Sequence, residues 1–522
     1  MALYGSQVAG YARDDSDYDL LVVLKNYRER ARYKYIHGTI NLSVLLVDSD
    51  ALSKDASTAS LGEFVVGRLL NVYQPILGSD FFWEVEVAYK RRVAMELLAE
   101  IVASYGDFSS ELLIPPAYFL FEKLRKRAAI YPPALYSYAK TYTGPMKERN
   151  IGFSVEGFSD ALDDLAAQGL ILRKADHVRL LENSIRRGQL AKLSQLATST
   201  ARGLRQYAVH SSAGRVGLGV VGREALSKIR RTREAVELPL ELKNPRSLWR
   251  IEEGALILDG GNWREAVLES LGHGSHEEIR TEHLGELYNV TRVYAVGKDA
   301  KSASFVVKYF RDFRSFKWAL LNLWTLTAKR FNMSPLARLH RQFRASLDLR
   351  RLGVLTPEIL AVVLNDRILV TKFVQGENLG QIVSDIIRRR TTDTSEVNRY
   401  GEVLALLHSV GYTVGDTKGS NAIHSQEGIY LTDLEQASKE GDPAWDIAEF
   451  LYFSCKLTPQ VSGSRTLTRT FLEGYLRVGS TEIVRKALHL KYLAPFQPFL
   501  TPQVTQAVRK AMREAATRVS VP

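Results

Sequence analysis

Cys455 is the only cysteine in a chain of 522 residues, and this removes two of the ways in which a polypeptide can be stapled together. No intramolecular disulfide and no multi-cysteine zinc site can form, so the fold must be held by buried apolar area, as suits a reducing compartment. The material for such a core is present. Hydrophobic residues make up 45% of the chain and charged residues 25%, the balance of globular protein and not of a disordered or collagen-like one. At roughly 100–200 residues per domain, three domains are the first expectation. No apolar run approaches the roughly 18 residues that cross a bilayer, and the N-terminus lacks a basic start followed by an apolar stretch. A cytoplasmic protein without a membrane span is expected.

Charge is the second constraint. The chain carries 70 Lys/Arg against 58 Asp/Glu, a formal net charge of +12, very unevenly spread. Residues 1–85 hold 8 Lys/Arg and 11 Asp/Glu, whereas residues 184–250 hold 14 and 4, so this stretch supplies most of the excess. Such clustering steers a protein toward a polyanion, and nucleic acid is the partner to expect through residues 184–250. A solvated basic linker is the alternative, since aromatic side chains do not interleave with the cations.

The pattern along the chain gives an α+β multidomain protein. Glycine, aspartate and serine punctuate apolar runs at 2–4, 18–24 and 39–47, the strands and turns of a small α/β unit over residues 1–85. Helical spacing dominates from 64 to about 104, with apolar Val87, Val93, Met95, Leu97, Leu98 and Ile101 separated by charges. Residues 86–183 read as a helical domain with a Pro132-Pro133 turn, a loop near Asn150-Ile151-Gly152, a helix over 154–169 and a strand-turn-strand to Leu181. That helix and hairpin look like the second helix and wing of a winged-helix module, although Asp160, Asp163 and Asp164 would repel phosphates if exposed there. Residues 184–250 form a basic connector. Residues 251–522 return to strands, at 304–310 and 368–373, and to helices that continue as a tail.

The first chemical constellation is Gly5-Ser6, Gly10 and Ser16-Asp17-Tyr18-Asp19-Leu20. In a strand, Asp17 and Asp19 share a face and can share a divalent cation, while Gly5 permits close approach of a phosphate and the Ser6 hydroxyl can add a hydrogen bond. This motif resembles the signature of the minimal nucleotidyltransferase (polymerase-beta-like) superfamily over about 60 to 85 residues. The resemblance implies a nucleotide held at Gly5 and Ser6 and a metal, Mg²⁺ or Mn²⁺, at Asp17 and Asp19. The family's third carboxylate on a neighbouring strand is not evident. Ser43 and Leu45 occupy the matching positions, and Asp48 comes only at that strand's end. The family's helix before the first strand is also missing, which a start codon placed too far downstream would explain. An active transferase and a nucleotide-binding or degenerate domain both remain open.

The second constellation is Lys308, Asp416, Lys418, Asn421 and Asp433. Phe305-Val306-Val307-Lys308-Tyr309-Phe310 is an apolar strand with one lysine, and an anionic ligand would explain a buried cation there. Gly415-Asp416-Thr417-Lys418-Gly419-Ser420-Asn421 precedes the strand Gly428-Ile429-Tyr430-Leu431, which runs into Thr432-Asp433-Leu434-Glu435 and then Gly441-Asp442-Pro443-Ala444-Trp445-Asp446. Phosphoryl transfer from ATP needs a cation on the phosphates, a carboxylate for the acceptor and oxygen ligands for Mg²⁺. This order resembles the protein-kinase-like superfamily over about residues 275–456, which implies a bilobal C-terminal domain. By that resemblance Asp416 orients the acceptor hydroxyl, Lys418 neutralises the transferring phosphate, Asn421 and Asp433 bind Mg²⁺, and Lys308 holds ATP phosphates. Residues 370–376, with Phe373, look like the hinge that receives adenine, and the glycine-rich loop is reduced to Gly285.

Departures narrow the subgroup. Val414 stands for the usual histidine, Asp433-Leu434-Glu435 for Asp-Phe-Gly, and Gln342 for the helix glutamate that pairs with the strand lysine; a neutral amide would hold Lys308 less firmly. Only 12 residues lie between Asp433 and Asp446, too few for a long activation segment. The chain therefore looks like the compact archaeal and atypical kinases, Rio-type and KEOPS-type, or the aminoglycoside phosphotransferases, and an archaeal source is the expectation. The function expected is an ATP-dependent phosphotransferase of serine/threonine protein-kinase type, acting on a protein or small-molecule alcohol. A small-molecule kinase, or a nucleotide-sensing adaptor for nucleic acid with degenerate sites, are the alternatives. The run 316–326, apolar on nearly every side if helical, is expected to be buried packing.

Overall fold

The computed structural model describes residues 1–14, 16–29, 31–186, 237–258, 261–272, 278–284, 290–296, 304–311 and 333–517. Most of the basic 184–250 stretch, Gly285 and the apolar run 316–326 lie outside them. The chain divides into two compact units, Met1–Ile257 and Leu258–Pro522. Both mix helix and sheet. Among the described residues no helix is long and apolar enough to cross a membrane.

The first unit is built on a five-stranded mixed sheet of β1 (Ala2–Tyr4), β2 (Tyr18–Leu24), β3 (Ala31–Ile36), β4 (Leu42–Asp48) and β5 (Tyr73–Pro75), in the order β3-β4-β2-β1-β5. β2 and β4 are parallel, with Asp19 opposite Ser43 and Leu21 opposite Leu45. The other pairs are antiparallel. Leu21, Leu45 and Val47 are buried, which is why the apolar runs of β2 and β4 sit side by side at the centre of the sheet. β3 is an edge strand whose side chains are largely exposed, and its charged, aromatic sequence carries no apolar run that would announce it. Asp48 ends β4 and caps the Ser49–Thr58 helix, accepting from the Asp50 and Ala51 amides at 3.1 Å and from the Tyr27 amide at 2.9 Å. Those hydrogen bonds, that of Ala51 first, lower its pKa, and they commit the carboxylate to structure.

Helices cover the rest of the unit: Ser79–Tyr105, Pro116–Ile130, Ala134–Thr141 and Lys147–Ala167. Of the helical stretch expected from residue 64, Val66–Leu70 form a 3-10 helix and the long helix begins at Ser79, because 73–75 pair with β1. The loop expected near Asn150 is instead helix. Asn150 is buried, and its side-chain amide donates to the Ala9 and Thr141 carbonyls at 2.9 Å each, so a residue that reads as a turn former is used as a tertiary tie. Charges are buried here too. Glu63 meets Lys123 at 2.8 Å, Arg92 at 2.9 Å and Arg127 at 3.4 Å, and Lys90 pairs with Glu86 while donating to the Ser154 carbonyl at 2.7 Å.

The hairpin β6 (Ile171–Lys174) and β7 (His177–Leu180) follows the Lys147–Ala167 helix, in the order expected of a helix and wing. Its surface disfavours a phosphate contact. Asp160, Asp163 and Asp164 are exposed, and the hairpin cations are already paired, Arg173 with Asp163 at 3.0 Å, Lys174 with Glu252 at 2.8 Å and Arg179 with Glu111 at 3.2 Å. After the undescribed stretch the chain returns to this unit, where Trp249 is buried against Tyr118 and Tyr105.

The second unit opens with a six-stranded sheet of β8 (Leu256–Leu258, straddling the division), β9 (Glu278–His283), β10 (Val290–Val296), β11 (Ser304–Tyr309), β12 (Ile359–Val363) and β13 (Ile368–Lys372), ordered β8-β12-β13-β11-β10-β9. The Pro335–Arg351 helix lies between β11 and β12 in sequence and buries Leu339, Phe343 and Leu347. A three-stranded sheet follows, made of β14 (Glu377–Asn378), β15 (Ala422–Ser425) and β16 (Gly428–Leu431). Around it stand the helices Leu379–Ile387, Ser395–Ser409, Pro443–Ser454, Val461–Tyr475 and Pro502–Ala516, sharing a core that includes Tyr400, Trp445, Phe450, Phe471 and Met512. Gly401 lies against the Phe471 carbonyl and Gly474 against that of Asn398, so two helices cross there with no room for a side chain.

Candidate active site

The loop between the Ser395–Ser409 helix and β15 is fixed from one side by three side chains of the Pro443–Ser454 helix. Asp446 accepts from the Val414 amide at 2.7 Å and the Gly415 amide at 2.8 Å, Trp445 donates its indole N–H to the Gly415 carbonyl at 3.2 Å, and Glu449 accepts from the Thr417 amide at 2.8 Å. His408 closes the arrangement by bridging Asp446, at 3.2 Å, and the Tyr475 hydroxyl, at 2.9 Å. Asp446 accepts two backbone N–H groups and Glu449 one, which satisfies their buried carboxyl oxygens. Burial first, and the neighbouring Asp416 second, push Glu449 well above the ordinary carboxyl value.

This scaffold presents Asp416 and Lys418. The Lys418 ammonium stands 2.9 Å from Asp416 Oδ1 and 3.2 Å from Oδ2, and although burial works against its charge, Asp416 and then Glu449 raise its pKa. Asp416 Oδ1 is itself buried and accepts no aligned hydrogen bond. Asn421 donates from its side chain to the Asp416 carbonyl at 3.0 Å, and its own carbonyl accepts from the Thr432 amide at 3.0 Å. The loop is thereby tied to the residue next to Asp433.

Asp433 meets Lys308. The strand lysine, on β11, reaches Asp433 Oδ1 at 2.7 Å, Gln342 Oε1 at 3.3 Å and Glu435 Oε2 at 3.4 Å. The protein thus supplies its own anions to a cation for which sequence alone suggested a ligand. Burial would lower the lysine, and Asp433 and Glu435 raise it; burial would likewise raise Asp433, and Lys308 foremost holds it down. Gln342 does stand at the helix position expected of it. Its Oε1 also accepts from the Leu434 amide at 2.7 Å, so the neutral amide ties the strand lysine to the segment after β16. That segment is short and pinned, since Thr413 and Ser438 exchange backbone hydrogen bonds at 2.9 Å.

The remaining candidates are dispersed. Phe373 follows β13, half-buried, with the Arg292 guanidinium 3.9 Å over its ring. In the first unit Asp19 is the second residue of β2 and half-buried, while Asp17 precedes the strand and is exposed. Ser6 begins a short helix over Ser6–Ala9. One row across the sheet reads Tyr73, Tyr4, Asp19, Ser43, Tyr35, so a serine faces Asp19 from the neighbouring strand. Among the described residues no group of three or more His, Cys, Asp or Glu side chains is placed to hold a metal ion.

Gly5 fulfils the close-approach expectation in a different sense. It has φ +82° and ψ −156°, and a Cβ there would run into the Asp19 carboxylate. Gly5→Ala is expected to cost about 1–3 kcal/mol through the backbone conformation alone. Chemical unfolding of the full chain would register it as an earlier first transition, and an unchanged midpoint would refute the packing described.

No family model matches the chain, and no curated protein matches it. Solved structures do align. A co-crystal structure of WbdD with the kinase inhibitor LY294002 aligns at 16% identity over 47% of this chain and 50% of that one, with a TM-score of 0.26. A structure of WbdD described as a bifunctional kinase-methyltransferase aligns at 15% identity over 41% and 51%, with a TM-score of 0.24. The chain spans about half the length of these structures.

Proposed function

We propose that the second unit is an ATP-dependent phosphotransferase acting on an alcohol group. The observation that carries this reading is the meeting of Lys308 and Asp433 at 2.7 Å from elements 125 residues apart, beside a loop whose Asp416 keeps a buried, unaligned acceptor oxygen. In this reading Lys308 engages the ATP phosphates, and the Asp416 carboxylate takes the acceptor hydroxyl. As the acceptor oxygen bonds to the γ-phosphorus, the bond to the ADP oxygen breaks, the hydroxyl proton passes to Asp416 and ADP leaves. Lys418 neutralises charge on the group in transit. Asn421 and Asp433 have the oxygen donors that a hard cation requires and would hold Mg²⁺, which when bound neutralises phosphate charge. Phe373 would border adenine.

The pinned, 12-residue span between Asp433 and Asp446 favours the compact kinases over those with a long activation segment, and either a protein or a small molecule as acceptor. For the first unit, a single carboxylate against Gly5, that of Asp19, and a serine opposite it support nucleotide binding more than nucleotidyl transfer. The test for the second unit is labelling with γ-labelled Mg·ATP, with Asp433→Ala alongside the wild type. Phosphate transfer to the chain itself, to added protein or to a metabolite is expected of the wild type and absent from the variant. Equal labelling of both would remove the assignment, and labelling of a metabolite but of no protein would identify the small-molecule type.

A further inference from the structure

The strand lysine is short of one carboxylate at the helix position and has gained one elsewhere. On the Pro335–Arg351 helix, Arg338 and Gln342 are one turn apart and share a face; the helix therefore offers a cation and an amide where a carboxylate was expected. Glu435 fills the gap. Its Oε2 lies 3.4 Å from Lys308 Nζ, and both its carboxylate oxygens lie 3.4 Å from Arg338 Nη1. Arg338 is 2% exposed at its side chain, and Lys308 and Glu435 15% each. Screening by solvent is slight for such a row of cation, anion and cation. Arg338 is itself anchored, donating to the Arg311 carbonyl.

Resting on the phosphotransfer reading, we propose that Glu435 is a positioning residue for that reaction. Its carboxylate holds Lys308 in the site in place of a helix carboxylate, and Arg338 ties that carboxylate to the helix. Asp433 is the nearer anion, but it is also the group a divalent cation would claim. Glu435, with Arg338 behind it, keeps the lysine aimed when Asp433 is engaged. The polarity of the familiar couple is reversed: the helix contributes the cation, and the segment after β16 contributes the acid.

The experiment uses the full chain and two readouts. In Mg·ATP turnover, followed as hydrolysis and autophosphorylation, Glu435→Gln should lose about tenfold or more, the worth of a hydrogen bond to a charged group. Adding Gln342→Glu should return it to within about threefold of wild type, because atom Oε1 of residue 342 already sits 3.3 Å from Lys308 Nζ. In thermal unfolding, Arg338→Met and Glu435→Gln should be non-additive. Wild-type turnover that Glu435→Gln leaves within about twofold, or that Gln342→Glu fails to restore, or strictly additive unfolding shifts, would overturn this proposal alone. Absence of any Mg·ATP turnover by the wild type would overturn the phosphotransfer reading and this proposal with it.

Discussion

Replacing Asp416 by asparagine is expected to lower phosphate transfer by about 10²–10⁴-fold, the usual worth of a positioned general base, while leaving the fold and Mg·ATP binding intact. The separation follows from what holds the loop. Asp446, Trp445 and Glu449 grip the backbone of Val414, Gly415 and Thr417, and Asn421 bonds to the carbonyl of residue 416 and not to its side chain. The Asp416 carboxylate is therefore free of structural duty except for Lys418, which asparagine leaves with a dipole in place of a charge. Single-turnover phosphate transfer and equilibrium binding of Mg·ATP, measured on the same preparation, separate the two effects. An Asp416→Asn protein that retains transfer within about tenfold of wild type would show that the carboxylate does not act as base.

Residues whose role depends on near neighbours in sequence were legible without coordinates. Asp416, Lys418 and Asn421 lie in one loop, and the apolar strands that contain Lys308 and precede Asp433 announce themselves by composition. So do β2 and β4, through the apolar stretches 20–24 and 44–47. What was hidden depends on contacts across the chain. Glu435 reads only as the last residue of a run standing for Asp-Phe-Gly until the fold brings it to Lys308 and Arg338. Asp446 is legible only as the end of the run 441–446 and Glu449 not at all, and hydrogen bonds to a loop 29 to 32 residues away give them their structural task. The i, i+3 spacing of two acids on a largely apolar helix was the available signal, because buried carboxylates require partners. β3 escaped for the opposite reason: an edge strand exposed on most positions has no need of the alternation by which strands are read.

The same logic applies to Asp17 and Asp19. Two acids at spacing two predict a shared face only if both lie in the strand, and β2 starts between them. The strand begins where the sequence placed it, at Tyr18, and it takes in Asp19 but not Asp17. Ser43 opposite Asp19 fits the sequence expectation for that position, and Asp48, the remaining acid of β4, caps a helix. Local motif and tertiary placement thus diverge in the first unit, whereas in the second the strand lysine and the acid after β16 meet at 2.7 Å.

The largest stability effect is expected at Glu63, a residue in neither constellation. Its carboxylate is buried among Lys123, Arg92 and Arg127, and Arg92 also pairs with Glu96 at 2.8 Å. Glu63→Gln keeps the shape and the positive φ of 63°, so the substitution isolates the charge. Leaving the buried cations without their anion should cost about 3–5 kcal/mol. Adding Lys123→Met should recover part of that loss, because one of the stranded charges is then gone. Acid supplies a second check. Burial pushes the Glu63 carboxyl up, but Lys123, Arg92 and Arg127 together hold it far below the ordinary 4.5. A carboxyl depressed in the folded state stabilises fully above its unfolded value and loses that contribution as pH falls through the folded one. The gap between wild type and Glu63→Gln should accordingly be constant above about pH 5 and narrow steadily below it. Chemical unfolding across that range measures it, and a gap that widens in acid would show that the three cations do not act through this carboxylate.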